Sequence, residues 1–328
     1  MKQFNYIQAQ NQQDAMTTVT QSENSFYLAG GTDLLGLMKD GVQTPNQLID
    51  INLLSFNQIE ETNTGIIIGA LAKMSDVANY PLIKNNYPVL SQSLLNSASP
   101  QLRNMATIGG NLNQKVRCNY FRNPLFPCNK RSPGSGCSAI EGYNRNHAIL
   151  GTSNHCIAVH PSDLAVALMV LDATIQIQNE TGIREVPISE YYLLPNDTPE
   201  KENILNQGEL ITSIFIPKSN LAQNSYYLKV RDRASYEFAL VSAGVALEIS
   251  DNVITSSRIV LGGVAGKPWR SLESEAHINH QSISLQIFTE AAEIALQNAR
   301  SYTHNHYKID LAKRTLIKAL SVISGGEN

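Results

Sequence analysis

The residues of this chain best suited to chemistry are four thiols that lie close together. Cys118, Cys128, Cys137 and Cys156 are the only cysteines among 328 residues, and they share a 39-residue window with gaps of nine, eight and eighteen residues. Three things could organise such a set. Two disulfides require an oxidising compartment, and the start Met1-Lys2-Gln3-Phe4-Asn5-Tyr6, followed by Gln/Asn-rich sequence, does not read as an export signal. A structural zinc ion takes four thiolates, usually from closely spaced pairs that these gaps do not form. An iron–sulfur cubane is larger than a single ion, so its corners can be reached by ligands spread along a wrapping loop. Spacing by itself leaves all three open, with the cluster narrowly in front.

The window should be an irregular loop. Pro124, Pro127, Pro133, Gly134, Gly136, Gly142 and Gly151 punctuate it, and Asn and Arg are frequent between Lys115 and Asn154. A loop of that length inside a compact domain needs an organiser. The elements on either side would have to position it. Residues 26–34 read Phe26-Tyr27-Leu28-Ala29-Gly30-Gly31-Thr32-Asp33-Leu34, a short apolar strand that runs into a diglycine turn and then a helix-like Leu34–Lys39. Ala106-Thr107-Ile108-Gly109-Gly110-Asn111, a second diglycine element, lies directly before the loop. Glycines at strand-to-helix junctions let bare backbone N–H groups approach phosphate oxygens. Two such turns suggest two segments converging on one pyrophosphate, although neither has the G-x-G-x-x-G pattern of the usual nicotinamide site. Just past the loop, His160-Pro161-Ser162-Asp163-Leu164 opens an apolar helical run, where Asp163 reads equally well as a helix-capping carboxylate.

The rest of the composition narrows the class. A net charge of −3 without a Lys/Arg block gives no footprint for nucleic acid, and no run of eighteen apolar residues exists to span a membrane. The patterns predict an α/β piece ending at the strand Leu48–Ile51 and a second piece opening with strand Gly65–Ala70 and a helix started by Ser75-Asp76. They then predict an antiparallel sheet from Tyr226–Val230, Phe238–Ile249 and Val253–Gly262, closed by helices over Ser282–Asn298 and Asp310–Ser321. The cluster Gly262-Gly263-Val264-Ala265-Gly266 reads as a turn, and the seven histidines read as surface or loop residues.

At this point the order of motifs resembles a known family. A-G-G-T-D-L near residue 30, T-I-G-G-N, P-S-D-L, the strand Gly208–Pro217 and Tyr227-Leu228-Lys229-Val230-Arg231 together look like the FAD-binding subunit of the molybdenum hydroxylases, the xanthine dehydrogenase, carbon monoxide dehydrogenase and aldehyde oxidoreductase relatives. The likeness runs the whole length, to a closing helix at Tyr307–Leu316. One departure stands out: about forty residues carrying every cysteine are inserted between the second turn and the S-D-L motif. That insertion resembles the loop of the bacterial periplasmic aldehyde oxidoreductase flavin subunits, which ligates a [4Fe–4S] cluster, and 4-hydroxybenzoyl-CoA reductase flavin subunits carry a loop of the same general kind.

The resemblance implies an α+β fold. A two-subdomain FAD-binding unit of the PCMH/VAO type, residues 1–54 and 55–220 with the inserted loop 115–156, would precede a C-terminal domain of the CO dehydrogenase flavoprotein type at 221–328. It implies FAD held by Phe26 through Leu34, with the amides of Gly30, Gly31 and Thr32 as donors and Thr107, Gly110 and Asn111 as the second turn. Asp163 would contact the adenosine portion or the ribityl hydroxyls, while Ile211 and Lys229 would touch the adenine or the isoalloxazine edge. Cys118, Cys128, Cys137 and Cys156 would ligate the cluster. The implied partners are a molybdenum-cofactor large subunit, a small subunit with two [2Fe–2S] clusters and an external electron acceptor. No catalytic triad is expected on this chain. Location would be cytoplasmic, or periplasmic through co-export with a partner carrying a twin-arginine signal. The alternative of another class is a zinc-stabilised, non-redox binding or assembly module on the same fold.

Overall fold

The computed structural model describes residues 1–325 as three sheets, each with its own helices. The first piece runs β1 (Asn5–Gln8), α1 (Gln12–Gln21), β2 (Ser25–Leu28), α2 (Leu34–Lys39) and β3 (Gln47–Asp50). Its strands are all parallel, in the order β1-β3-β2. Parallel neighbours need crossovers, and α1 supplies one. The Asn11 side chain caps α1 by accepting from the Asp14 N–H, and Ala15, Met16 and Val19 form its buried face. That face packs on Ile49 and Ile51, together with Leu71 and Leu210 from the next piece, so the first two pieces share a core.

The second piece begins with β4 (Ile59–Glu61) and β5 (Gly65–Gly69) and continues through α3 (Met74–Asn79), α4 (Pro81–Asn86), α5 (Pro88–Asn96), α6 (Pro100–Arg103) and α7 (Ile108–Leu112). Proline at the first position of α4, α5 and α6 fits there because the missing N–H has no intrahelical partner. The predicted Ser75-Asp76 start is displaced: α3 begins at Met74 behind Lys73, without a side-chain cap. The cysteine window follows, irregular as expected apart from the single turns α8 (Asn119–Arg122) and α9 (Ser138–Glu141). Then come α10 (Asp163–Val170), β6 (Thr174–Asn179), β7 (Gly182–Pro187), α11 (Ile188–Tyr191) and β8 (Leu210–Pro217). The sheet order is β4-β5-β8-β6-β7, antiparallel throughout. Every residue of α10 is buried, which its unbroken apolar run requires.

The last piece is α12 (Asn220–Gln223), β9 (Ser225–Val230), β10 (Val241–Ser250), β11 (Val253–Gly262), β12 (Trp269–Arg270), α13 (Leu272–Ile278), α14 (Leu285–Leu296) and α15 (Tyr307–Ile323). Its sheet is antiparallel in the order β12-β11-β10-β9, with α14 and α15 burying Phe288, Ala292, Leu316 and Leu320 against it. Two expectations need correcting. Residues 238–240 are not strand, because the chain leaves β9 in a series of bends and rejoins the sheet only at Val241. Helix α13 was not expected, since Leu272-Glu273-Ser274-Glu275-Ala276-His277-Ile278 carries too few apolar residues to show a helical stripe. Among the described residues no helix is long and apolar enough to cross a membrane.

Candidate functional site: a long cavity and a ring of thiols

The two diglycine turns meet. Residue 30 packs so closely on the segment before α7 that a Cβ there would lie 2.1 Å from the Met105 carbonyl oxygen, which leaves glycine as the only residue that fits. Gly31 adopts a φ of +67°, and Asp33 leads into α2. The second turn is fixed from below. Ala70 accepts from the Gly109 N–H at 2.8 Å, and the Thr107 hydroxyl caps α7 by accepting from the Gly110 N–H at 3.2 Å. The Asn111 side-chain oxygen accepts from Ser162 Oγ at 2.5 Å, which ties this turn to the start of α10.

A cavity of about 680 Å³ opens between the first two pieces. Its size is that of a cofactor site. All of residues 26–34 line it, together with Thr107, Gly110, Asn111, Asp163 and Ile211, drawn from four separate stretches of chain. Lys229 lies elsewhere. Its side chain is 1% exposed and does not line the cavity; its Nζ donates to Asp163 Oδ2 at 2.8 Å and to the Asn96 carbonyl at 3.1 Å. Asp163 also accepts from Ser97 Oγ at 2.9 Å and from the Tyr227 hydroxyl at 2.5 Å. Lys229 thus stands behind Asp163 as the counter-charge that makes its burial tolerable. The helix cap is Ser162, whose hydroxyl accepts from the Ala165 N–H; Asp163 occupies the next position, with its carboxylate free for those three donors.

Several lining residues were not among the expected site residues. Lys115, Arg117 and Arg122 come from the start of the cysteine loop, and Arg233, Tyr236, Glu237 and Phe238 come from the bends between β9 and β10. Arg117 lies over the Phe238 ring at 4.7 Å, joining the two segments. Asp33 grips the loop from the other side: its carboxylate accepts from the Lys115 N–H at 2.8 Å, Arg117 Nη1 at 2.5 Å and Arg122 Nη2 at 2.7 Å. The only hint in the sequence was that Arg117 and Arg122 flank Cys118.

All four cysteines are free thiols, and all four line one small hollow together with Val116, Phe121, Ala139 and Ala158. Cys128 and Cys137 face each other across a single antiparallel bridge. Loop order comes from polar side chains turned inward. Arg131 donates to the carbonyls of Tyr120, Phe121 and Phe126, while Asn129 donates to the His155 carbonyl at 3.1 Å and accepts from the Gly136 N–H at 2.7 Å. Backbone amides point at the sulfurs, those of Tyr120 and Phe121 at Cys118 and that of Ala158 at Cys156. Burial pushes the Cys118 thiol up to about 12 and Cys156 up to about 11, and neighbouring thiols push the same way, so anionic sulfur here calls for a compensating cation. Among the described residues no three Cys, His, Asp or Glu side chains are gathered tightly enough to hold a single metal ion.

The expectation for the histidines is corrected at two positions. His147 and His160 lie on loop segments, but their rings are turned inward. His147 is buried, and its Nε2 sits 3.2 Å from Cys118 Sγ. The His160 ring packs on Tyr192 with centroids 4.3 Å apart, and its Nε2 is shut away from solvent without a partner. Burial lowers both imidazoles to about 4.

Comparison with known proteins gives the family. Residues 2–219 match the family described as the FAD binding domain in molybdopterin dehydrogenase, and residues 226–323 match the CO dehydrogenase flavoprotein C-terminal domain. The chain is 42% identical over 325 residues to the aldehyde oxidoreductase FAD-binding subunit PaoB of Escherichia coli K12, covering 98% of each chain. It is 25% identical to the glyceraldehyde dehydrogenase medium chain of Sulfolobus acidocaldarius, covering 98% of this chain and 96% of that one. In fold it is similar to a chain of CO dehydrogenase from Oligotropha carboxidovorans, with a TM-score of 0.78, 22% identity and 99% of each chain covered. It is also similar in fold to a chain of quinoline 2-oxidoreductase from Pseudomonas putida 86, with a TM-score of 0.76, 20% identity and coverage of 99% and 98%.

Proposed function

The chain belongs to the family of FAD-binding subunits of molybdopterin dehydrogenases, and from that premise we propose that it is the electron-transfer subunit of an aldehyde oxidoreductase, carrying FAD and a [4Fe–4S] cluster. Substrate oxidation then takes place on a molybdenum-cofactor partner, a small subunit with two [2Fe–2S] clusters relays the electrons, and this chain passes them to an external acceptor. A bound flavin supplies the exchange between one-electron and two-electron transfer. Residues 26–34 and the turn Thr107–Asn111 would hold it, with the amides of Gly30, Gly31 and Thr32 as donors to phosphate oxygens. Asp163, paired with Lys229 at 2.8 Å, offers a fixed acceptor for hydroxyl groups. Cys118, Cys128, Cys137 and Cys156 would hold the cluster. Apolar Val116, Phe121 and Ala158 shield that hollow from water, and the amides aimed at sulfur offset its negative charge.

The observation that carries the flavin reading is the close approach at Gly30, which brings turns 76 residues apart, counted from Gly31 to Thr107, to the wall of one cavity. For the cluster it is the convergence of all four thiols, each free, on one hollow. The test is cofactor analysis of the purified full-length chain. One FAD per chain, with about four iron and four acid-labile sulfide, supports the reading. A colourless, zinc-containing chain would identify the binding module instead.

A further inference from the structure

His147 heads the stretch His147-x-Ile149-Leu150-Gly151-x-Ser153 of the inserted loop, and the resemblance gives it no ligand role, yet it touches a proposed ligand. Its Nε2 lies 3.2 Å from Cys118 Sγ, inside the protein, whereas its Nδ1 has no partner. A neutral imidazole carries one proton. A sulfur bound to iron can only accept, and a buried N–H without an acceptor is rarer and more costly than a buried lone pair. Both arguments put the proton on Nε2, pointing at sulfur. Among the described residues no other sulfur of the four meets a side-chain donor.

The C-terminal domain holds this residue in place. From the N-terminal end of α15, Lys308 Nζ donates to the His147 carbonyl at 3.0 Å and to the Gly263 carbonyl at 2.5 Å. Asn305 Nδ2 donates to the carbonyls of His147 and Ala148, both at 3.2 Å. Lys308 and Asn305 are both completely buried, so two costly polar side chains are committed to one stretch of loop backbone. The Tyr120 ring, 6.4 Å away, limits the tilt of the imidazole.

We infer that His147 is a positioning residue for the cluster: its Nε2–H donates to the Cys118 sulfur and raises the reduction potential of the cluster. This rests on the cluster reading above. A hydrogen bond to a ligand sulfur stabilises the more negative, reduced state more than the oxidised one. The couple gains one electron, no bond forms or breaks, and the proton stays on Nε2. Because the clamp on His147 comes from the C-terminal domain, that domain would help to set a potential whose ligands all lie in the second piece.

The test is a redox titration of the full-length chain, followed by the electron paramagnetic resonance of the reduced cluster, with iron and sulfide counted on the same samples. His147→Leu should keep its iron and favour reduction about tenfold less, a fall of about 59 mV for one electron. His147→Gln, which retains an N–H donor, should recover most of that shift. An iron-loaded His147→Leu chain with less than about a twofold change in its reduction equilibrium would overturn the assignment. If that variant fails to hold iron, the wild-type chain labelled with ¹⁵N-histidine decides the matter. A weak nitrogen coupling in the reduced cluster supports the hydrogen bond; no coupling, or one as strong as direct ligation gives, overturns it. A wild-type chain without iron and sulfide overturns the cluster reading itself and is recognised from the metal count.

Discussion

The cavity and the thiol ring are built by opposite means. The cavity takes its shape from backbone: regular elements end at two turns, and glycine leaves open the space where a ligand would lie. The thiol ring takes its shape from side chains, because the loop that carries it has almost no regular structure and is kept in order by Arg131, Asn129 and Asp33. A site made from backbone fails when something is added to it, and a site made from side chains fails when something is removed. The two regions also sit on adjoining chain, and Asp33 touches both.

The largest effects follow from this contrast. Gly30→Val places atoms where the Met105 carbonyl already lies and should weaken FAD binding at least ~100-fold, about 2.7 kcal/mol; fluorescence titration of the apoprotein checks it, with iron content unchanged. Cys137→Ser should do the reverse, losing iron and keeping flavin. Cys137 is only half-buried, so the oxygen is tolerated by the fold. Joint loss of both cofactors in either variant would break the contrast.

In stability instead of affinity, Lys229→Met strands the Asp163 carboxylate inside the protein and should cost about 3–5 kcal/mol, measured by denaturant unfolding. Asp33→Asn should act on both regions, releasing Arg117 and Arg122 and lowering flavin affinity and iron retention together, each about tenfold. An effect confined to one of them would show that Asp33 belongs to that region alone.

A pH dependence follows from burial of an imidazole. His160 ionises near 6.5 when unfolded, and burial lowers it to about 4 in the folded chain. Between those values the unfolded chain binds a proton that the folded chain does not. Stability should therefore fall as pH drops from 6.5 towards 4, by about 1–3 kcal/mol. His160→Phe should make that decline shallower, and His147, also held at about 4, should preserve part of it. An unchanged slope would show that the His160 ring is open to water.

The same contrast explains how much could be read from the sequence. Backbone sites leave a local signature, so A-G-G-T-D-L and T-I-G-G-N pointed to both turns, and the unbroken apolar run after Ser162 gave α10. The thiols were visible as a set from their types alone. What remained hidden depends on contacts across long stretches of chain. Lys229 sits in a tyrosine-bearing strand like any surface lysine until that strand, β9, brings it behind Asp163, 66 residues earlier in the chain. His147 looks like one loop histidine among several until Asn305 and Lys308, just before and at the start of α15, pull its carbonyl inward. Polar residues buried by distant partners carry no periodicity of their own.

Anomalous diffraction from crystals of the full-length chain, collected on both sides of the iron and zinc edges, tests the central claim most directly. The account predicts an iron signal in the hollow lined by Cys118, Cys128, Cys137 and Cys156, and flavin density running past Gly31 and Gly110. A zinc signal among those sulfurs, or density for two disulfides, would contradict it.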